Sequence, residues 1–312
     1  MTTLLLSHPA CFKHDTGEFH PENAERIAAI MHVLEHEDFL YLARGEAPPA
    51  THEQLLRAHS SAYIDRILGS VPAEGCYIEL DSDTIISGSS GEAILRSAGA
   101  ACSAVDEVMT GQVRNAFCAV RPPGHHAERE TPGGFCLFSN AAIAALHARD
   151  AHGVQKVAVV DFDVHHGNGT QNILWNESGM FYASTHQSDT FPYTGSATEI
   201  GPDGGAIIVN SPLPAGTGSE AFRAAYSDTI LPALRDFAPE ILIISAGFDA
   251  HAADPMAHFR LQVSDFTWLT TQLIEIARVY SQRRIVSLLE GGYEPRALAA
   301  CVAAHLRVLM EG

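Results

Sequence analysis

The sequence predicts an α/β protein, a single open, mostly parallel β-sheet sandwiched between α-helices, with its site at the carboxyl ends of the strands. Three observations lead there. Short runs rich in Val, Ile and other apolar residues have the length and composition of fully buried parallel strands: Ala116-Phe-Cys-Ala-Val120, Val157-Ala-Val-Val160, Ile241-Leu-Ile-Ile244 and Ile285-Val-Ser-Leu-Leu289. Longer helix-like segments separate most of the strand-like runs, as βαβ crossovers require. Each of the four runs ends in a polar cluster, and ligands of open sheets bind just beyond those ends.

The start of the chain, Met1-Thr-Thr-Leu-Leu-Leu, reads as a first strand: it has neither a basic leader nor a small-residue cleavage site. Helices are expected over residues 21–34, 91–109, 140–149, 219–236, 264–281 and 295–310. Ser219 with Glu220, and Ser264 with Asp265, are suitable caps, and Pro295 suits a first helical turn. The loops at 121–136, 187–205 and 248–259 are long, polar and rich in Gly and Pro, which marks functional segments.

The site's pieces run from His125 to Tyr293 with no linker between them, so one domain over residues 1–312 is expected. Hydrophobic residues make up 46% of the chain, ample for a core. The six cysteines are scattered without disulfide-framework spacing, which fits free thiols in a reducing cytoplasm. A formal charge of −18 argues against nucleic-acid binding and leaves two readings, plain solubility or attraction of cationic substrates. No apolar stretch approaches a membrane-spanning length, so no membrane partner is expected.

The four clusters carry the chemistry. Asp163 and His165, two apart at a strand end, project to one side, and Asp249 beyond another strand completes a three-ligand site with a position open for water. Two carboxylates and one imidazole suit Zn²⁺, with Fe²⁺ or Co²⁺ as competitors. His125 and His126 follow a rigid Pro-Pro-Gly turn and are the candidate general bases. Asp161 and Asn168 are natural partners to fix the two ring tautomers. Tyr293, after Gly-Gly, can donate to a carbonyl oxygen as charge builds on it.

These motifs resemble the zinc-dependent histone deacetylase family of the arginase–deacetylase superfamily. Asp161-Phe-Asp163-Val-His165-His166-Gly-Asn168-Gly and Leu289-Glu-Gly-Gly-Tyr293 are similar to its class II branch, and the likeness runs from His20-Pro-Glu-Asn-Ala-Glu-Arg26 to Tyr293. The resemblance implies an arginase–deacetylase fold, Asp163, His165 and Asp249 as metal ligands, His125 and His126 as catalytic histidines, and Tyr293 polarising the scissile carbonyl. It also implies Phe135 and Phe191 as walls of an acyl-lysine channel and the Gly134 carbonyl as acceptor of the substrate N–H. By the same likeness a potassium ion sits near Asp161, Ser184 and Thr185, and Arg26 lies near a channel for released acetate.

Two positions depart from parts of the family. Asn168 stands where class I members carry aspartate, which leaves His126 the better neutral base. Met256 stands at a rim position where polyamine-selective relatives carry glutamate. The expected activity is therefore hydrolysis of the linear amide of N-acetyl-lysine in a protein or peptide, by a compact cytoplasmic enzyme of bacterial type. An acetylpolyamine or other small-amide deacetylase is the alternative, with Asp81, Asp83 and Glu128 as candidate acidic rim groups. An arginase-like two-metal hydrolase and a catalytically weak acyl-lysine binder are less favoured, since the motif offers ligands for one metal and the chain retains Tyr293 and all three ligands.

Overall fold

The computed structural model describes residues 2–312. Its strands are β1 (Thr3–Ser7), β2 (Ala43–Glu46), β3 (Tyr77–Glu79), β4 (Ile85–Ser87), β5 (Asn115–Cys118), β6 (Val157–Asp161), β7 (Met180–Gln187), β8 (Ile207–Leu213), β9 (Ile241–Ala246) and β10 (Ile285–Leu289). Eight of them form one sheet in the order β2-β1-β5-β10-β9-β6-β7-β8, while β3 and β4 make a separate hairpin. Every pairing in the large sheet is parallel.

The apolar runs have no polar alternation because both faces of the sheet are covered. Val157 and Val159 of β6 join one core and Ala158 and Val160 the other; Ile241 and Ile243 of β9 divide from Leu242 and Ile244 in the same way. Helices Ser90–Met109 and Asn140–His152 supply Ile94, Val105, Ile143 and Leu146 to the first core. Helices Ala24–Val33, Val263–Tyr280 and Pro295–Glu311 supply Ile27, Leu269 and Leu306 to the second.

Most expected elements form, with shifted ends. The first strand begins at Thr3, and Met1 lies outside the described residues. The helix expected at 21–34 begins only at Ala24, because the Asn23 side chain caps it by accepting from the Glu25 N–H at 3.0 Å. Ser219 is not a cap: Gly218 is, and the Ser219 hydroxyl donates to Asp265 at 2.7 Å. Ser264 lies inside its helix, and Asp265 instead accepts from the Gln262 N–H at 2.9 Å. The segment expected at 219–236 is two α-helices, Ser219–Ala225 and Leu231–Phe237, joined by a π-turn at Tyr226–Ile230.

The topology does one thing above all for the site. β5, β10, β9 and β6 are consecutive in the sheet. The four polar clusters, distant in sequence, therefore emerge side by side from its centre.

Candidate active site

β6 ends at Asp161, so Asp163 and His165 lie in the turn beyond it and not on the strand end as expected. That turn is held by its own carboxylates. The Asp163 N–H donates to Asp161 Oδ1 at 3.1 Å and the His165 N–H to Asp163 Oδ1 at 2.9 Å. Asp249 follows β9 and is locked by the Val164 N–H, which donates to its Oδ1 at 2.9 Å.

These locks bring the three expected ligands together. His165 Nδ1 lies 3.1 Å from Asp163 Oδ1 and 3.1 Å from Asp249 Oδ2, and one ligand atom from each of the three residues lies within 4.8 Å of the others. All three residues are buried. Burial, with the Asp163 carboxylate beside it, pushes Asp249 up to about 7. Two buried carboxylates this close keep both charges only beside a cation, so the donor set suits a divalent ion. Gly291 is required here, since a Cβ would collide with Oδ2 of both Asp249 and Asp163. Its N–H also donates to Asp163 at 2.8 Å.

The tandem histidines sit on a turn tied to the end of β10. Glu290, fully buried, accepts from the N–H groups of Gly124 at 2.7 Å and His125 at 3.1 Å. His125 Nδ1 lies 3.0 Å from Asp161 Oδ2, which also accepts from the Tyr182 hydroxyl at 3.3 Å. His126 Nδ1 lies 2.8 Å from Asn168 Oδ1, and Asn168 Nδ2 donates to Glu128 at 2.8 Å. The rings thus have different partners, and they are held differently. Burial opposes charge on His125, but Asp163 and Asp161 outweigh it and raise it to about 10. Burial, then the neighbouring His125 and His165, push His126 well below the usual histidine value.

Above these groups is a pocket of about 170 Å³. It is lined by His126, His165 and Tyr293 together with the expected channel residues Phe135 and Phe191, the expected acceptor Gly134 and the expected rim residue Met256. Thr190 and Asp83 complete the lining. Phe135 meets the Tyr293 ring edge-on at 5.8 Å, and Phe191 meets His126 edge-on at 4.9 Å. Gly134 has φ +52, and a Cβ there would strike His126 and Phe191. Four wider hollows, of about 640, 670, 600 and 250 Å³, lie elsewhere, and none is lined by Asp163, His165 or Asp249.

Of the three candidate acidic rim groups, only Asp83 lines the pocket. Asp81 accepts from the backbone N–H groups of Asp83 and Thr84, and Glu128 turns to Asn168. Asp161 and Ser184 are register partners across β6 and β7, with Thr185 next in line, so the expected potassium residues are adjacent. Arg26 is fully buried, stacked over the Tyr293 ring at 4.8 Å and donating to the Gly292 carbonyl at 2.6 Å.

Sequence reasoning missed three supports. Glu290, within Leu289-Glu-Gly-Gly-Tyr293, has a single sequence signal, a carboxylate at the end of an apolar strand. Asp254 accepts from the Tyr293 N–H at 2.6 Å and so fixes the tyrosine's turn. Glu22 pairs with both Arg121 and Arg26 in a fully buried cluster; its carboxyl, though burial alone would raise it, is held at about 2 chiefly by Arg121.

Fold and site together define an α/β enzyme of the arginase–deacetylase type, built around a buried Asp-His-Asp cluster. The chain belongs to the histone deacetylase family, whose domain model (Histone deacetylase domain) matches residues 20–309. It is 38% identical to the Histone deacetylase-like amidohydrolase of Pseudomonas aeruginosa, over 93% of this chain and 76% of that one. It is 36% identical to Histone deacetylase 10, chloroplastic, of Oryza sativa, over 94% of this chain and 70% of that one. The solved HDA15 HD domain superposes with a TM-score of 0.93 at 33% identity, covering 100% of this chain and 89% of that chain. Family membership makes the protein a deacetylase-type amide hydrolase. No helix among the described residues is long and apolar enough to cross a membrane.

Proposed function

We propose that this chain is a zinc-dependent deacetylase of N-acetyl-lysine in proteins or peptides, acting in the cytoplasm through one domain over residues 1–312. The observation that carries this reading is the Asp163-His165-Asp249 cluster, whose His165 lines the same pocket as Phe135 and Phe191. An aromatic slot suits the apolar methylenes of a lysine stem.

One zinc ion fits Asp163, His165 and Asp249, and its chemistry there is to acidify a water and polarise the acyl oxygen. His126, kept neutral by burial and by its charged neighbours, takes the proton of the attacking water. It then returns a proton to the leaving lysine amine. His125, held charged by Asp163 and Asp161, supports the negative charge that develops. Burial keeps the Tyr293 phenol protonated, so it can donate to the oxyanion. The Gly134 carbonyl is the proposed acceptor for the substrate N–H; Cys136 Sγ approaches it at 3.3 Å. A structural potassium ion is assigned to the region of Asp161, Ser184 and Thr185. Arg26, beneath Tyr293, is assigned to the region through which acetate leaves.

A second reading, deacetylation of a small acetylated polyamine, is favoured by one feature, the Asp83 carboxylate in the pocket. Against it, Met256 makes the facing rim apolar, while further ammonium groups need carboxylate partners once desolvated. Rates on acetyl-lysine peptides and on acetylspermidine or acetylputrescine separate the two. The peptide should lead in kcat/KM by at least about tenfold, and Met256→Glu should narrow the gap. A wild type that prefers acetylpolyamines at physiological ionic strength would replace the first reading with the second.

A further inference from the structure

We propose that Glu128 is a positioning residue for His126, acting through Asn168, and this rests on reading His126 as the proton-transferring base. The carboxamide of Asn168 can offer an imidazole either its oxygen or its NH₂. With the oxygen facing Nδ1, that nitrogen carries the proton and Nε2 keeps a free lone pair. With the NH₂ facing Nδ1, the proton moves to Nε2, and His126 can no longer accept one from water. Aspartate needs no such choice, because both of its oxygens accept; His125 has that simpler arrangement with Asp161 at 3.0 Å.

Glu128 makes the choice for Asn168. An ionised carboxylate only accepts, so the Asn168 Nδ2 that donates to it at 2.8 Å must be the NH₂ end. The oxygen is then left facing His126 Nδ1 at 2.8 Å. The backbone is built for this contact. A Cβ on Gly169 would collide with the backbone of Ala127 and His126, so glycine lets the two segments touch. The Thr170 N–H donates to the His125 carbonyl at 3.1 Å and clamps the same pair of segments. Glu128 is therefore a carboxylate acting at one remove: it sets the tautomer without placing a full negative charge against His126.

The tautomer of His126 in the zinc-loaded protein can be read from its ring-nitrogen chemical shifts by ¹⁵N NMR, which requires no turnover. The unmutated protein should show Nδ1–H with Nε2 unprotonated. Glu128→Ala should mix the tautomers and lower kcat on an acetyl-lysine peptide roughly 10- to 100-fold, with KM and zinc content unchanged. Glu128→Gln can still offer an oxygen to Asn168 and should recover most of that loss. In an Asn168→Asp background there is no amide to orient, and Glu128→Ala should cost no more than about twofold. An Nε2–H tautomer in the unmutated protein overturns the proposal, as does an equal loss from Glu128→Ala in both backgrounds. An Nδ1–H tautomer that becomes mixed in Glu128→Ala, in a protein that turns over no acetyl-lysine peptide, upholds the positioning by Glu128 and removes the substrate reading alone.

Discussion

Among the described residues, two groups of three gather aspartate and histidine ligand atoms close enough to share an ion, and they are built in opposite ways. At the centre of the sheet, Asp163, His165 and Asp249 are all buried. On the helical layer, Asp106 of Ser90–Met109 faces His147 and His152 of Asn140–His152, whose Nε2 atoms lie 2.8 and 2.7 Å from one Asp106 oxygen. Arg57 decides the character of the second group. Its guanidinium can only donate, and it reaches His147 Nδ1 at 2.9 Å, so that nitrogen is the acceptor and Nε2 bears the proton. Protons already satisfy Asp106, whereas the two buried carboxylates of the first group face each other across a single imidazole. Residue type and proximity are shared; what differs is whether the surroundings leave an unmet demand for positive charge.

The comparison breaks most sharply at Asp249. Asp249→Ala should lose the metal and reduce deacetylation to background, with the fold retained by circular dichroism; a variant that keeps both removes the ligand assignment. Tyr293→Phe should retain the metal and lose roughly 10²–10³ in kcat, the scale of one oxyanion donor. Activity within about threefold of wild type would exclude Tyr293 as the carbonyl polariser.

Asn168→Asp sharpens the contrast between the two histidines. An added carboxylate favours imidazolium, so the His126 pKa should rise. The base form is lost below that pKa, and the acidic limb of the kcat/KM profile should move to higher pH. An unmoved limb in a variant with normal metal content counts against His126 as the shuttle. The smallest effect belongs to the second cluster. Asp106→Ala should leave metal content and kcat unchanged and cost about 0.5–1 kcal/mol of stability in urea unfolding, because its hydrogen bonds are partly solvent-exposed.

Much of this was legible in the linear order of residues, and the reasons are specific. Val157–Asp161 and Ile241–Ala246 are apolar strands followed by charged turns, and the coincidence of four such clusters singles out Asp163, His165 and Asp249 as candidate ligands. The end of β7 is harder to see: Ser184, Thr185, His186 and Gln187 are polar yet form buried strand, and Gln187 falls where a loop is expected. Their polar groups find partners only in the fold, such as the Tyr226 hydroxyl for Thr185 at 3.2 Å. Glu128 reads as a candidate acidic partner for a cationic substrate, whereas in the fold it accepts from Asn168, forty residues away. Buried pairs such as Glu22 with Arg121 are invisible for the same reason. A charge has a role only through its neighbours.

Metal analysis of the purified, zinc-equilibrated protein tests the central claim most directly, run beside Asp249→Ala and Asp106→Ala. One zinc per chain in the wild type, one in Asp106→Ala and none in Asp249→Ala is the expected pattern. Two tightly bound ions in the wild type, or full deacetylation after complete chelation, would contradict it.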